Sequence, residues 1–369
     1  MITLAEAKVG MADKVDQQVI DEFRRGSLLL DMLVFDDAVS PGTGGSTLTY
    51  GYMKLKTPST AAFRKLNTEY VGNEAKREKA SVDLKIFGGE FSLDRVIIKS
   101  SGAVDELDFQ MKEKIKGAIN LFHYTVINGD SNTNEDEFDG LDTFLTGSST
   151  EYNMDEYALT SDTDIVKGKN YYTRTGAGTE ESPYVYALVE TPAKASIATY
   201  YENTSEIDLS NSAKMDENYQ AFLDKMDEFV ALMQGKPSIL LMNSKMQTKM
   251  KGIARRAGYY SQSEDAFGRS VDNWDGIPFV DLEEYFDPKT KQTVPCVPIS
   301  KAGTTDIYAV QIAKDGFHGV SLQGEKIIAT ALPDLTQPGV VKKGDVEMVA
   351  GVVLKNSLKA GVLRNVKVK

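Results

Sequence analysis

The sequence feature that most restricts the fold is a long amphipathic stretch from residue 102 to residue 128, which runs into an acidic turn. Its apolar residues recur every three or four positions, the spacing of a helix with one buried face. They are Val104, Leu107, Met111, Ile115, Ala118, Ile119 and Phe122. Asp108 precedes Lys112 by one turn, the favourable order for an ion pair. At about 1.5 Å per residue the helix would be roughly 40 Å long, so we predict a structural helix rather than a catalytic element.

Length and charge restrict the class of protein. The chain has 369 residues, 41% of them apolar, which is enough for two domains or one elaborate subunit. It contains no run of about 20 apolar residues of the kind that crosses a membrane, and its first twenty residues lack a signal-peptide core. The net charge of −12 argues against a surface that grips nucleic-acid phosphates, although an acidic protein can enclose DNA without binding it tightly. We expect a cytoplasmic protein with no membrane segment.

The residues that usually support catalysis or metal binding are scarce. The single cysteine, Cys296, excludes an internal disulfide, and we interpret it as a small core or loop residue. The two histidines, His123 and His318, are too few for a multi-histidine metal site. The acidic turn after the helix resembles a calcium loop, but Glu135 and Leu141 stand where that loop needs glycine and glutamate. We therefore expect no enzyme activity, cofactor or metal, although composition alone does not exclude a carboxylate pair.

The N-terminal part of the chain predicts extended structures with little core of their own. Residues 1–46 look like a helical arm followed by a glycine-rich break, and residues 47–98 look like a long hairpin with alternating apolar positions. About two dozen polar residues separate the two arms of the hairpin. A loop of that length is usually functional, and we expect a neighbouring subunit to cover it. The predicted contact residues there are Phe63, Arg64, Tyr70 and Arg77.

The part after the helix predicts a mixture of strands and helices. Residues 155–205 are rich in Tyr, Thr and Gly, which favours a small inserted β module. In residues 206–335, a helix with apolar positions from Tyr219 to Met233 precedes the apolar strand 239–242 and a second helix that begins at Asn243 or Ser244 and ends at Ala257. Later strands are predicted at 277–280, 307–310 and 327–331, and the chain end is predicted to rejoin an earlier sheet. The class is α+β.

Two cations end the second of these helices. Arg255 and Arg256 lie in its last turn, where positive charge suits the negative end of the helix dipole. A contact between subunits at an assembly axis is the alternative interpretation, and both residues are included among the predicted inter-subunit contacts.

The order of these parts resembles the major capsid proteins of tailed bacteriophages, which have the Hong Kong 97-type fold. The resemblance covers roughly residues 10–154 and 210–369. It rests on the long helix, INGD at 127–130, DGLDTFL at 139–145, the strand-to-helix step at 237–253, and the segments at 267–280, 305–322 and 352–368. In that family's terms the parts are an N-terminal arm (1–46), an extended loop (47–98), a peripheral domain (99–154 and 336–369) with its spine helix (102–128), and an axial domain (206–335). The module at 155–205 has no counterpart in the minimal fold.

The resemblance implies a structural function. Such proteins form pentamers and hexamers that tile an icosahedral virion shell around double-stranded DNA, and they assemble in the host cytoplasm. The implied partners are further copies of the chain, a separate scaffolding protein, a portal, a candidate decoration protein, and packaged DNA held without sequence-specific binding. An encapsulin-type shell of the same fold is one alternative. A β-module adhesin or hydrolase, suggested by the tyrosine-rich segment, is the alternative from another class.

Overall fold

The computed structural model describes residues 27–38, 47–57, 59, 61, 63–70, 72, 74–99, 106–153, 158–159, 171–175, 185–189, 200–201, 207–258, 261–264, 270–300, 303–322 and 327–369. Most of the predicted arm and of the segment 155–205 lies outside these ranges, as do residues 102–105 of the predicted helix. The helices are α1 (Leu28–Met32), α2 (Arg95–Lys99), α3 (Glu106–Asn128), α4 (Leu141–Leu145), α5 (Ser212–Ala231) and α6 (Ser244–Ala257). None of these described helices is both long and apolar enough to cross a membrane.

Most of the described strands are short, and they form five sheets. The strands before residue 205 are β1 (Phe35–Asp37), β2 (Thr49–Thr57), β3 (Lys76–Asp83), β4 (Lys85–Asp94), β5 (Glu151–Asn153), β6 (Ala158–Leu159), β7 (Tyr171–Thr175), β8 (Val185–Val189) and β9 (Tyr200–Tyr201). The later strands are β10 (Ile239–Met242), β11 (Ser261–Glu264), β12 (Ser270–Trp274), β13 (Ile277–Asp281), β14 (Glu284–Asp287), β15 (Gln292–Pro295), β16 (Thr304–Val310), β17 (Phe317–Ser321), β18 (Ile328–Ala331), β19 (Val341–Leu354) and β20 (Ala360–Lys367).

Helix α3 is the predicted long helix. Ile115, Ile119 and Phe122 are buried along one face, as the spacing predicts. The expected pair between Asp108 and Lys112 is present at 3.1 Å on the exposed side. The helix ends at a turn where Gly129 is required for space, because a Cβ there would lie only 2.1 Å from the carbonyl oxygen of Phe138.

The larger core lies between α3 and a five-stranded sheet. The sheet has the order β1–β17–β19–β18, and β4 also pairs with β19 along ten residues. Every second residue of β19 is buried between Lys342 and Ala350, so one face of this strand meets the core and the other meets solvent. Helix α3 packs on β4 and β19. One continuous apolar cluster fills this unit and extends to β10, β16 and β20.

A second unit is built on a seven-stranded sheet with the order β11–β12–β13–β10–β16–β20–β5. Helix α5 packs against β20, and α6 packs against β13. The predicted cap of α6 is confirmed, since the Asn243 side chain accepts a hydrogen bond from the backbone N–H of Met246 at 3.0 Å. Strand β10 is buried at all four positions, as expected for a central strand.

A partly buried ion network fastens β20 to its surroundings. The Arg364 guanidinium donates to Asp142 at 2.6 Å, to Asp306 at 2.9 Å and to Glu151 at 2.7 Å. The hydroxyl of Tyr308 donates to Asp142 at 3.0 Å. Burial raises the pKa of Asp306, and the charge of Arg364 counteracts this. Arg364 therefore balances the charge of three carboxylates that are only partly exposed to solvent.

Strand pairing corrects the predicted outline of the hairpin. β3 pairs with β2, but β4 pairs with β19, so the return arm divides at Leu84 and the free hairpin spans only residues 49–83. The charged residues 76–80 form part of β3, although they gave no strand signal. A ribbon exposed on both faces needs no apolar alternation, which is why the sequence pattern did not reveal it.

Pairing also redistributes residues between the two large units. β17 and β18, expected in the axial unit 206–335, lie in the sheet that contains β4 and β19. β20, expected with the peripheral residues 336–369, pairs instead with β16 in the seven-stranded sheet. The partner of each of these strands lies far along the chain, and the local pattern of apolar residues does not identify it, so the sequence could not assign them.

The tyrosine-rich segment contains a small sheet of its own, with the order β6–β9–β7–β8. The chain enters the segment from β5, where Asn153 pairs with Arg364. It returns at Asp208, which forms a bridge with Lys367. The two attachment points are therefore three residues apart along β20, or about 10 Å.

Candidate inter-subunit surfaces

Most described residues of the hairpin β2–β3 are exposed or half-buried. Its strands pair antiparallel from Thr49 opposite Asp83 to Thr57 opposite Lys76, with a bulge between Leu55 and Thr57. Together they form a two-stranded sheet on their own. An isolated two-stranded ribbon is at best marginally stable in water, so this one depends on contacts at its base or with another molecule.

The far end of the hairpin carries large apolar side chains that are mostly exposed. Phe63 is fully exposed, Leu66 is 87% exposed and Tyr70 is 66% exposed. The Arg64 guanidinium lies 5.4 Å from the centre of the Tyr70 ring and donates to the carbonyl of Thr68 at 3.3 Å. Burying such side chains against a partner is favourable by about 25 cal/mol per Å² of apolar surface. The sequence had not singled out Leu66.

The six predicted contact residues do not form one site. Phe63, Arg64 and Tyr70 lie in the connection between β2 and β3, and the structure brings Arg64 and Tyr70 together. Arg77 is exposed within β3, opposite Leu55. The remaining two, Arg255 and Arg256, lie at the end of α6 on the other unit.

The base of the hairpin is held by a polar cluster. The Tyr50 hydroxyl donates to Asp36 at 2.9 Å and accepts from Lys355 at 2.9 Å, while Lys314 pairs with Asp36 at 3.2 Å. Burial and the bond to Asp36 raise the pKa of Tyr50 to about 12. Burial by itself opposes ionisation of Asp36, but the hydrogen bonds from Tyr50 and Lys314 outweigh it and lower its pKa. The cluster therefore fixes the point from which the ribbon leaves the sheet.

A buried histidine lies beneath this cluster. The His318 ring meets the Tyr50 ring edge-on, with 6.1 Å between centres. Its Nδ1 is 3.4 Å from the Gly316 carbonyl, and its buried Nε2 has no hydrogen-bond partner within the described residues. Burial, reinforced by the charge of Lys355, lowers the pKa of His318 to about 4. The imidazole is therefore neutral at pH 7 and acts as a packing group.

A second exposed apolar surface lies at one end of the β4–β19 ladder, where Val341 pairs with Asp94. The backbone N–H of Arg95, the first residue of α2, donates to the carbonyl of Val340 at 2.9 Å. The exposed residues around this end are Val96, Ile97, Leu332, Leu335, Val340 and Val341. Exposed apolar side chains that gather in one place typically mark a contact with another protein.

Arg256 connects the two helices of the seven-stranded sheet. Its Nε is 2.5 Å from Asp216, and its Nη2 donates to Ser212 at 2.9 Å, both near the start of α5. Arg255 is exposed on the adjoining face of α6. The arginine pair thus belongs partly to the internal contact between α5 and α6.

A buried serine–histidine pair was not foreseen from the sequence. Nδ1 of His123 is 3.1 Å from the carbonyl oxygen of Leu282, so Nδ1 carries the hydrogen and Nε2 accepts from the Ser27 hydroxyl at 2.6 Å. Burial lowers the pKa of His123 to about 4, which makes it a weak base. Ser27 also accepts a bond from Leu30 as the cap of α1. Both side chains are nearly inaccessible, so the pair anchors α1 to α3 rather than presenting a nucleophile.

The fold is similar to those of solved shell proteins. The SrpI encapsulin complex of Synechococcus elongatus PCC 7942 matches with a TM-score of 0.51 and 13% identity over 92% of this chain and 87% of that chain. A protein of Mycobacterium phage Bobi matches with a TM-score of 0.49 and 11% identity, over 92% and 90% of the two chains. No family model and no curated protein matches by sequence. The first likeness shows the fold: the chain is a mixed α+β protein with the Hong Kong 97-type fold.

Proposed function

We propose that this chain is the subunit of a closed protein shell built from many identical copies. The observation that carries the proposal is the hairpin β2–β3, which extends from the body of the molecule with Phe63, Leu66 and Tyr70 uncovered. A neighbouring copy would cover these side chains and supply the contacts that a two-stranded ribbon lacks. The exposed surface around Val341 would give a second contact between copies.

In this proposal the parts have the roles that the resemblance implies. Residues 1–46 form the arm, and the hairpin is the extended loop. The five-stranded sheet with α3 forms the peripheral domain, the seven-stranded sheet forms the axial domain, and residues 155–205 form an outward-facing inserted module. Phe63, Arg64, Tyr70 and Arg77 contact one neighbour. Pentamers and hexamers made in this way close an icosahedral shell.

Hairpin replacement tests self-assembly. Replacing residues 59–74 with a short Gly/Ser turn leaves the pairing of β2 with β3 intact and removes the apolar tip. We expect a folded subunit with an unchanged circular dichroism spectrum that no longer forms large particles in sedimentation velocity. As a matched control, Lys65→Ala in the same connection should still assemble. Normal shells from the replaced chain would refute this role of the hairpin.

Within this class, we propose the head of a tailed bacteriophage with double-stranded DNA inside. The order of sequence motifs supports this assignment, and the net charge of −12 suits a container that encloses DNA without gripping it. In a phage, a scaffolding protein, a portal and a decoration protein would be partners. Particles from the native source should then contain nuclease-protected DNA of genome length.

A cargo-holding shell is the second candidate, favoured by the fold likeness to the SrpI encapsulin. The contents of native particles separate the two functions. Mass spectrometry that finds one enzyme in fixed proportion to the shell, together with no protected DNA, would support the encapsulin function and contradict the phage assignment.

A further inference from the structure

The hairpin β2–β3 is a basic ribbon in an acidic chain. Residues 49–83 contain seven lysines and arginines against four acidic residues, whereas the whole chain has a net charge of −12. At the tip, residues 63–70, Arg64 follows the exposed Phe63. Within the described chain its hydrogen bonds come from Nη1 alone, so Nε and Nη2 keep their donors for a carboxylate. The surface that covers this tip should therefore be acidic and should also contain an apolar group.

An acidic groove lies where β13 leads into β14. It is a cavity of about 460 Å³ bordered by α3, the start of α6 and the two-stranded sheet β14–β15. That volume falls within the roughly 300–1,000 Å³ of typical binding pockets. Its charged lining consists of Asp281, Glu283 and Glu284 together with Lys116, so the carboxylates outnumber the cation. We call this cavity the β14 groove.

The carboxylates of the β14 groove are not neutralised within the subunit. Among the residues that the structure describes, Asp281, Glu283 and Glu284 form no ion pair. Burial raises the pKa of Asp281, and the charges of Glu283 and Glu284 add to this rise. Lys251 opposes it, but this lysine is already paired with Asp272 at 2.7 Å. A cation that enters the groove would therefore be stabilised.

The same groove contains an apolar partner. Side chains alternate along β14, so Glu284 and Phe286 project to the exposed side while Tyr285 stacks on Tyr124 of α3, with 4.8 Å between ring centres. Phe286 is 57% exposed and lines the cavity. Asn120 lines it as well, and its buried Oδ1 has no hydrogen-bond partner among the described residues. Carboxylates, an aromatic ring and an unused acceptor therefore meet in one groove.

Within one subunit the tip and the groove do not contact each other. The hairpin meets its own body at the base, where β3 contacts β19 and Tyr50 bonds to Asp36. Arg64 contacts Tyr70 and two carbonyls of the tip itself. Among the described residues, no hydrogen bond or ion pair joins the tip to the β14 groove. A second copy of the chain has to supply one of the two surfaces.

We propose that the hairpin tip of one copy docks in the β14 groove of a neighbouring copy. Arg64 pairs with the carboxylates of Glu283 and Glu284, and Phe63 packs on Phe286. Pairs between a guanidinium and a carboxylate are directional as well as strong, so they fix the position of the tip. The contact joins two different patches and is therefore heterologous, as a ring of subunits requires. This inference rests on the proposed shell function and identifies the surface that the hairpin meets.

Exchange of the paired charges tests the contact. Arg64→Glu brings a carboxylate to the acidic groove, and Glu284→Arg brings a cation to Arg64. Each variant alone should need roughly tenfold more protein to assemble than the wild type, because like charges then meet. The chain with both changes should regain assembly, since the pair is then reversed in every copy. The control Lys79→Glu, at an exposed position of β3, makes the same change in charge as Arg64→Glu and should assemble normally.

Recovery in the doubly changed chain separates a lost contact from a lost fold. Mass photometry gives the size of the particles, and circular dichroism checks the fold of each variant. Normal assembly of both single variants, or a folded double variant that stays dispersed, would overturn the docking while leaving the shell proposal intact. A wild-type chain that never assembles would overturn both.

A disulfide test measures the proximity itself and leaves Arg64 and Glu284 in place. Lys65→Cys lies beside Arg64 in the tip, and Thr293→Cys lies in the groove. After oxidation of assembled particles, the chain with both cysteines should form a ladder of linked copies on non-reducing gels. Either cysteine alone should form none, because the native Cys296 is buried. Assembled particles of the double variant that give no ladder would contradict the docking.

Discussion

The two buried histidines should make the free energy of unfolding depend on pH. His123 and His318 both have a pKa of about 4 in the folded chain, because burial disfavours the charged imidazole. In the unfolded chain each returns to about 6.5. The unfolded state therefore binds more protons between these values, and the free energy of unfolding falls as the pH decreases from about 6.5 towards 4. Above pH 6.5 the full stability is present.

The magnitude follows from the size of the shift. Folding lowers the pKa of each histidine by about 2.5, and each unit corresponds to roughly 1.4 kcal/mol. Each histidine therefore changes the free energy of unfolding by about 3 kcal/mol between pH 6.5 and pH 4. That is a large part of the roughly 5–15 kcal/mol that keeps a typical domain folded. His318→Phe removes one of these groups and keeps a ring against Tyr50. The substitution removes no hydrogen bond of Nε2, because this buried atom has no hydrogen-bond partner among the described residues.

The assay is urea unfolding of dispersed subunits at several pH values from 4.5 to 7.5, with the wild type and His318→Phe compared. We expect the variant to lose less stability on acidification, by about 1.4 kcal/mol per pH unit between pH 5 and 6. Carboxylates with shifted pKa values contribute equally to both proteins and cancel in the difference. Parallel stability curves for the two proteins would refute the assignment of a neutral, buried His318.

Three further predictions concern the core, the ion network and the inserted segment. Ile115→Asp should abolish soluble folding, because an unpaired charge in the core costs several kcal/mol. The control Lys112→Asp, on the exposed side of α3, should still fold. Soluble yield and circular dichroism distinguish the two variants. Arg364→Ala should lower the free energy of unfolding in urea by about 1–3 kcal/mol, because it leaves partly buried carboxylates without their cation. Replacing residues 155–205 with a short Gly/Ser linker should preserve particle size in electron microscopy, because the two attachment points on β20 lie about 10 Å apart.

Each of these has an outcome that contradicts it. Equal tolerance of aspartate at both helix positions would show that α3 is not packed as described. A change below about 0.5 kcal/mol for Arg364→Ala, the size of a neutral surface substitution, would show that the network contributes little. Collapse of the subunit after the linker replacement would make residues 155–205 part of the main core.

Local patterns in the sequence predicted the elements that bury one face. The spacing around Ile115 defined α3, and Asn243 marked the start of α6. These features depend on residues a few positions apart, so a single sequence contains the whole signal. The pairing of β20 and the division of the return arm at Leu84 depend on partners far along the chain, and they left no local trace.

The candidate surfaces likewise include features that the local sequence predicts and features that depend on residues far apart in the chain. The polar excursion between β2 and β3 was visible because it is too long and too polar for a turn, and it contains the exposed Phe63. The Ser27–His123 pair joins residues 96 positions apart, and the cluster around Tyr50 joins four separate segments.

Cryo-electron microscopy of the purified chain shows directly whether it forms a shell. We predict closed icosahedral particles in which residues 49–83 of each subunit lie over a neighbour and cover Phe63, Leu66 and Tyr70. Monodisperse monomers at every protein concentration, or shells in which these side chains remain exposed to solvent, would contradict it.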